Sequence, residues 1–470
     1  MLLGQVFERF VKESPVSVMV RGLLEKALCP QTLDALFERS AKTQYTRELL
    51  FSTVVNLMSL VVCGVHPSVH AAHQASSEEI SVSVTSIYNK INGIEPIISA
   101  ELVREVAAQM EATIRHLNAT APDLLPGYRV KILDGNAIAA TEHRLKALRD
   151  ISSAPLPGQS LVVLDPSLML AVDVFPCEDG HAQERSLFDE VLPTVEEDDV
   201  WIADRNFCTL KFLFGVATDK GYFIIRQHQT MPWQATDDFR LVGQSDSGTV
   251  FEQNIILSAD DGQLLKARRV KVCLEQPNRD GDREIFILTN FLSDSVAGVR
   301  TRATVIDALL IAQLYRKRWK LETLFQVLTE NLCCEINTLG YPKAALFTFS
   351  VALVAYNVLS TVKAALRSVH GTEKIEAEIS SYYLADEIRG TYRGMMIAIP
   401  SEEWRLFHNM TFTELSQILK HLAGLAKLRA FRRHPRGPKI AQPKRTYLKN
   451  KPHVSTAKIL AQKTQNINTP

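Results

Sequence analysis

Residues 304–334 read TVIDALLIAQLYRKRWKLETLFQVLTENLCC, and this stretch organises the rest of the chain. It contains no Gly or Pro, and its apolar spacing predicts one continuous α-helix of about eight turns at ~3.6 residues per turn. Thr304, with Asp307 three residues later, predicts the start of this helix.

Two stripes run side by side along the predicted helix. At ~100° per residue, Tyr315, Arg318, Glu322 and Thr329 fall within an arc of roughly 60°, beside an arc of apolar side chains. Glu322 would therefore sit on a rigid support at the margin of the core, as a metal ligand requires, and Arg318 could hold a phosphate. From the helix alone, an ordinary i, i+4 ion pair between the same two residues is the favoured explanation of the spacing.

Composition sets broad limits. At 470 residues the chain is long enough for two to four domains, and its formal net charge of +1 is near zero. Residues 427–470 nevertheless contain twelve Lys or Arg and no Asp or Glu. This composition is typical of a solvated tail or of a segment that binds nucleic acid electrostatically. The seven Cys include no CxxC pair, which argues against a disulfide scaffold and fits a reducing cytoplasm.

Two acidic residues follow predicted strands in the middle of the chain. The strand 128–133 (YRVKIL) leads directly into Asp134, and 198–203 (DDVWIA) leads into Asp204. Further strands and short helices alternate with these two strands from 160 to 226. That alternation predicts an α/β core with a mixed sheet.

The sequence predicts four regions. Residues 1–122 are read as a helical N-terminal region, and residues 123–230 with 300–370 as the α/β core. Candidate strands split by Gly, Asp and Asn turns make 231–299 a β-rich insertion. Residues 371–470 are read as a helical C-terminal region with the basic tail.

Two apolar stretches, 49–65 and 344–366, invite a membrane interpretation. Polar residues such as Thr348, Asn357 and Lys363 interrupt the longer one, and the shorter one falls below the length of a span. We therefore expect buried core helices and no membrane partner. A membrane-associated helical protein is the rival class.

A His-containing segment, Cys63 to Glu79, offers a metal site as an alternative to plain structure. His66, His70 and His73 lie close in sequence, but no second ligand pair completes a standard zinc pattern. The following piece, SVTSIYNKING, predicts a short helix whose polar residues either face DNA or close a structural hairpin.

Asp134, Asp204 and Glu322 together suggest a reaction. Two strand ends and a neighbouring helix that present carboxylates can hold two divalent ions ~3.5–4 Å apart, which promote attack at a phosphodiester. Mg²⁺ prefers such oxygen ligands and needs few of them from the protein. The order strand end, strand end, helix therefore predicts a nuclease-like site.

The same residues carry a family resemblance. The chain resembles bacterial DDE transposases of the IS-four insertion-sequence type, the group that includes the transposon Tn-five enzyme. Its helix holds the Y-x-x-R-x-x-x-E part of that group's YREK signature, in the string YRKRWKLE with Trp319 after Arg318. Asp134 matches the first Asp, Asp204 in ADRNF matches the second, and the resemblance covers roughly residues 125–345.

The resemblance implies a fold and an activity. It implies an RNase H-like core with a β-rich insertion, and cut-and-paste transposition: metal-dependent cleavage at transposon ends, then strand transfer into target DNA. Asp134, Asp204 and Glu322 would hold two Mg²⁺ ions, with Mn²⁺ as a substitute. The residues expected to bind DNA are Tyr315, Arg318, Arg205, Trp319 and Thr329.

It also implies partners and a location. Double-stranded DNA, as terminal inverted repeats and target, is the expected partner, and a homodimer would hold two ends in a synaptic complex. The N-terminal region 1–122 would bind the DNA, and 123–230 with 300–370 would form the catalytic core. The expected location is the bacterial cytoplasm, at the nucleoid.

One position departs from the family pattern. A Lys is expected seven residues after Glu322, and this chain has Thr329, which supplies a hydroxyl and no charge. The alternative function is therefore a non-catalytic DNA-binding or inhibitory relative of a transposase.

Overall fold

The structure is a computed structural model that describes residues 3–44, 48–138, 145–148, 156–278, 281–292, 296–297, 304–434 and 455–467. Helices surround one large mixed β-sheet, so the predicted α/β class is confirmed. Residues 435–454 and 468–470 of the basic tail lie outside the described residues.

Helices come first along the chain. They are α1 (Glu8–Glu13), α2 (Pro15–Ala27), α3 (Pro30–Ser40), α4 (Phe51–Val62), α5 (Val69–Ala75), α6 (Val84–Gly93) and α7 (Pro96–Leu117). Proline begins α2, α3 and α7, because a first-turn residue has no intrahelical use for its N–H. The short helix predicted in SVTSIYNKING is α6, and the Ser83 hydroxyl accepts a hydrogen bond from the N–H of Ser86 at its start.

The strands and short helices of the middle region follow. They are β1 (Arg129–Ala137), β2 (Gln159–Asp165), β3 (Leu170–Cys177), α8 (Phe188–Val191), β4 (Asp199–Ala203), α9 (Leu210–Thr218), β5 (Tyr222–Arg226), β6 (Gln234–Ala235), β7 (Arg240–Ser245), β8 (Gly248–Ser258), β9 (Leu264–Leu274), β10 (Glu284–Thr289), β11 (Val296–Ala297) and β12 (Thr304–Val305).

The C-terminal part is helical. It contains α10 (Ala308–Arg316), α11 (Trp319–Glu330), α12 (Pro342–His370), α13 (Thr372–Glu378), α14 (Ser381–Ala398), α15 (Ser401–Trp404), α16 (Phe412–Leu425) and α17 (Thr456–Ile467).

The large sheet has the order β3-β2-β1-β4-β5-β10-β9-β8-β6, with β7 also paired to β8. β1 runs antiparallel to β2 and parallel to β4, and β4 runs parallel to β5. The strands predicted between residues 231 and 299 extend this sheet, because β10 pairs antiparallel with β5. The domain divisions predicted from the sequence stay predictions.

Side chains alternate between the two faces of the sheet. Ile132 and Ile202 pack into the core that the N-terminal and C-terminal helices share, whereas Leu133, Trp201 and Ala203 pack on the opposite face against α8 and α9. The first of these faces is also the one that α10 and α11 cover.

The predicted single helix from Thr304 to Cys334 is wrong in two respects. Asp307 caps the N-terminus alone, since its carboxylate accepts a hydrogen bond from the N–H of Leu310, while Thr304 belongs to β12. The helix is also interrupted at Lys317 and Arg318, where the N–H groups bond to carbonyls three residues back. Such tighter turns can mark a functional position within a helix.

The most apolar helix, α12, is long and apolar enough by length and composition to cross a membrane. Its apolar window is nevertheless 100% buried inside the protein, which agrees with the predicted core helix. The Asn357 side chain bonds to the backbone N–H and C=O of Ala171 on β3, at 2.8 and 2.9 Å. This amide satisfies two backbone groups of the sheet.

Candidate active site

Two aspartates lie side by side on adjacent parallel strands. In the register between β1 and β4, Leu133 faces Ala203, so Asp134 is the next residue on β1 and Asp204 directly follows the end of β4. Neighbouring strands lie ~4.8 Å apart, and alternation turns both side chains toward the face that α10 and α11 cover. Asp134 lies within β1, where the sequence predicts it just after the strand, because its backbone pairs with Val162 on β2.

Glu322 reaches the same place from α11 through Arg318. The Arg318 guanidinium donates to Asp134 Oδ2 at 2.7 Å and to Glu322 Oε1 at 2.6 Å. Arg318 and Asp134 side chains are only 14% and 16% exposed, so this bridge is largely shielded from solvent. The interruption before α11 places Arg318 where its side chain can span both carboxylates.

Tyr315 and Trp319 flank this arginine. Burial raises the pKa of Tyr315 to about 12, although the nearby positive charges of Arg318 and Arg226 act to lower it. Its hydroxyl therefore stays protonated and able to donate. Trp319 is 56% exposed, with the Arg318 guanidinium 5.5 Å from its ring centroid.

The other two predicted DNA contacts lie at the edge of the site. Arg205 is exposed, directly after Asp204. Thr329 is exposed on α11, and its hydroxyl donates to the carbonyl oxygens of Phe325 and Gln326 in its own helix. Thr329 thus supplies no charge toward DNA.

Among the acids of this site, Asp134 has a strongly raised pKa. Burial raises its pKa to about 7, and the negative charges of Asp204 and Glu184 act in the same direction. The positive charge of Arg318 and the N–H of Gly135 oppose them but do not reverse the outcome. A partly buried carboxyl near neutrality, in a cluster of like charges, is a pattern common at functional sites.

Glu184 is a fourth acid at this site that sequence reasoning missed. It precedes α8, and its carboxylate accepts from the Asn206 side-chain amide at 3.2 Å, while the Asn206 N–H bonds to Asp204 at 2.7 Å. A Cβ on Gly135 would lie 1.9 Å from Glu184 Oε1, so the Gly after Asp134 gives this carboxylate its space. Gly135 is the sequence feature that accompanies this carboxylate, but a glycine alone does not indicate which acid, about fifty residues later, lies against it.

The donor set fits Mg²⁺ by its chemistry, since all the ligand candidates are carboxylates. Across the described residues, however, no three His, Cys, Asp or Glu side chains converge to hold an ion. Around Asp134 and Glu322 the reason is visible, because both carboxylates point at Arg318. Arg318 must turn away before these carboxylates can share a cation.

The alternative His site is not formed either. The ring of His73 bonds to the carbonyl of Val82 at 2.9 Å, and His66 is buried with a pKa that burial lowers. On α6, Thr85, Ser86 and Asn89 are exposed, whereas Lys90 lies 4.0 Å from the centroid of the Phe37 ring. Three of the polar residues of α6 are therefore exposed, and Lys90 packs against an aromatic ring instead.

A family model described as the transposase DDE domain matches residues 126–358. The matched region is just under half of the chain, and Asp134, Asp204 and Glu322 all lie within it. This match supports a DDE transposase, an enzyme of the nuclease and transferase type.

Among solved structures, the chain is similar to a piggyBac transposase in a synaptic complex with hairpin DNA. The identity is 10%, the TM-score is 0.36, and the alignment covers 86% of this chain and 84% of that one. No curated protein matches this chain.

Proposed function

We propose that this protein is a metal-dependent DNA transposase that cleaves transposon ends and joins them to target DNA. One observation carries the proposal: Arg318 bridges Asp134 and Glu322, and Asp204 lies beside Asp134, inside the region that matches the transposase DDE domain. The β3-β2-β1-β4-β5 order supports an RNase H-like core. The partial YREK string supports the IS-four-type group.

Arg318 has two possible partners in the reaction. Guanidinium groups bind phosphate in a bidentate manner, so an incoming DNA backbone competes with Asp134 and Glu322 for the same donors. When Arg318 moves to the phosphate, both carboxylates lose their counter-charge. DNA binding thereby prepares the acids to hold a cation.

Asp134, Asp204 and Glu322 would then hold Mg²⁺, with Mn²⁺ as a substitute. The bound ions would activate a water or a 3′-hydroxyl and stabilise the leaving oxygen at the phosphodiester. Tyr315, protonated because its pKa is about 12, donates to a phosphate oxygen, and exposed Trp319 and Arg205 line the approach of the DNA.

The partners proposed are duplex DNA, as terminal inverted repeats and target, and a second copy of the chain. The exposed polar residues of α6 support a DNA-reading role for the N-terminal helices. The acid-free tail from Lys427 supports a grip on the DNA backbone. The bacterial cytoplasm, at the nucleoid, is the proposed location.

The second candidate is a non-catalytic DNA-binding relative. The observation that favours it is Thr329, whose hydroxyl is turned to its own helix where the family pattern has a Lys. Such a protein would bind transposon ends and compete with an active enzyme.

Strand cleavage tests the proposal. A duplex that carries the element's own end is incubated with Mg²⁺ and the wild type, Glu322→Ala or Glu402→Ala, the last an exposed acid on α15. We expect Glu322→Ala to bind the end but to cleave about a thousandfold more slowly, since a lost metal ligand costs several kcal/mol of barrier. The control should cleave as the wild type does.

Equal cleavage by Glu322→Ala and wild type contradicts the assigned site. Binding without cleavage by every protein, including the wild type, favours the non-catalytic candidate.

A further inference from the structure

A second concave surface lies along α11, on the helix face next to the one that carries Glu322. Thr323, Gln326, Val327 and Glu330, one face of α11, form one wall, and the other is lined by 380–383 with Arg433 and His434. We call this surface the α11–α14 groove. Its volume of about 540 Å³ is in the range of ligand sites.

Aromatic rings form one rim of the groove. Tyr382 is 48% exposed, and its ring packs edge-on against that of Tyr383 at 5.3 Å between centroids. Tyr383 in turn meets the ring of His434 at 5.9 Å. Tyr383 and His434 support Tyr382 and leave much of its ring uncovered, which suits the stacking of a planar group.

The end of the groove adjoins a cluster of positive charges. Arg433, held by a bond from its Nε to the Ile379 carbonyl at 2.9 Å, lies close enough to Lys363 to act on its charge. Lys363 and Arg367 both approach Glu376, at 3.8 and 2.8 Å. Lys320 on α11 also acts on this carboxylate, so three cations share Glu376.

This cluster has more positive charge than its surroundings satisfy. Burial lowers the pKa of Lys363, and the charges of Arg433 and Arg367 lower it further. Burial and the charges of Lys317 and Arg367 likewise lower the pKa of Lys320. Within the described residues, the buried Nε of Arg367 has no hydrogen-bond partner. A phosphate bound at Arg433, which lines the groove, would offset part of this positive charge.

The location connects the groove to the acids. Gln326 lies one helical turn after Glu322, ~6 Å along the axis of α11. A chain of phosphates that passes Glu322 can therefore enter the groove within a nucleotide or two. Cations beside an exposed aromatic ring form the combination that binds unpaired nucleotides, since a base in a duplex cannot stack on a side chain.

We propose that the α11–α14 groove binds single-stranded DNA next to the cleavage point, with a base stacked on Tyr382 and a phosphate near Arg433. This assignment rests on the proposed function, because it identifies the strand beside the cut. It adds a site for unpaired DNA that is separate from the acids.

Binding to a labelled oligonucleotide tests the groove without cleavage. Full-length protein is titrated in EDTA, at one fixed salt concentration, with a single strand of about 12 nucleotides and with a duplex of the same sequence. A 2-aminopurine base in the single strand reports stacking by loss of fluorescence. The variants are Tyr382→Leu and Tyr382→Phe, and Arg433→Gln with its neighbour Arg432→Gln as control.

We expect Tyr382→Leu to weaken single-strand binding about tenfold and to abolish the fluorescence loss, whereas Tyr382→Phe stays within about twofold of the wild type. Arg433→Gln should weaken single-strand binding and lower its salt dependence by about one unit, and Arg432→Gln should change neither. Duplex binding should be equal for the wild type and all four variants.

Single-strand binding by Tyr382→Leu at the wild-type level overturns the groove, and so does an equal loss of single-strand and duplex binding. If the wild type cleaves DNA while Tyr382→Leu binds single strands normally, the groove alone fails. If Tyr382→Leu loses binding while no protein cleaves, the groove stands and the proposed transposase activity fails.

Discussion

The two sides of α11 are opposite in charge. On one side Asp134 and Glu322 share the guanidinium of Arg318. On the other side Lys320, Lys363 and Arg367 share the carboxylate of Glu376, and Arg433 lies close to Lys363. The acidic side suits a divalent cation and the basic side suits phosphates, so one helix separates the two charges that a phosphodiester reaction must handle.

On each side of α11, one residue of opposite charge lies among the buried like charges. Buried like charges are costly, and one counter-ion lowers that cost until a ligand arrives. Arg318 is the counter-ion of Asp134 and Glu322, and Glu376 is the counter-ion of Lys363 and Arg367. Substitutions at and around these residues test this difference in charge between the two sides of α11.

The largest effect is expected for Arg318→Ala. We expect cleavage to fall about a hundredfold, since the bidentate phosphate contact is lost, while Mn²⁺ binding without DNA becomes tighter because no guanidinium competes. Cleavage rates and Mn²⁺ titration measure the two effects, with exposed Arg316→Ala as control. Weaker Mn²⁺ binding by Arg318→Ala would show that Arg318 does not compete with the cation.

The next effect is a pH dependence set by Asp134. Its pKa is raised from 3.8 to about 7, so below pH 7 a cation must displace a proton. Mn²⁺ affinity should fall up to about tenfold per pH unit below 7 and level off above it. For the same reason, protonated Asp134 contributes to the unfolding free energy fully below pH 3.8 and loses that contribution as pH rises through 7. A flat Mn²⁺ affinity between pH 5.5 and 8 would contradict this.

A smaller effect is expected for Glu184→Gln. The negative charge of Glu184 raises the pKa of Asp134, so its removal should move the pH midpoint of Mn²⁺ binding downward. Cleavage should fall about tenfold, because Glu184 positions Asp204 through Asn206. Glu190→Gln, an exposed acid on α8, is the control. An unchanged midpoint would remove Glu184 from the site.

The smallest effect is expected for Thr329→Lys. A lysine here would add one phosphate contact next to the acids, so binding of the transposon end should tighten a few-fold and its salt dependence should increase by about one unit. Thr329→Ala, which removes the hydroxyl without adding charge, should bind as the wild type does. A loss of binding in Thr329→Ala would give the hydroxyl a role of its own.

The sequence predicts much of the site because the relevant signals are local. Strand patterns predict that Asp134 and Asp204 each follow a strand, and the spacing of Arg318 and Glu322 places both on one helix face. The register between β1 and β4 then brings the two aspartates together.

The rest depends on contacts between distant residues. The interruption at Lys317 occurs in a segment without Gly or Pro, so no local signal marks it. Glu184 and Asp134 are far apart in sequence, and the groove joins α11 to residues near Arg433. Charge clusters of this kind appear only when the chain is folded.

We infer that Asp134, Asp204 and Glu322 hold a divalent cation once Arg318 has moved to DNA. The most direct measurement is a crystal structure of the wild-type protein with Mn²⁺ and a duplex that carries the transposon end, with data collected at the manganese absorption edge. We predict an anomalous peak among the three carboxylates and the Arg318 guanidinium on a phosphate. A peak elsewhere, or Arg318 still bonded to Asp134 and Glu322 with DNA bound, would contradict the account.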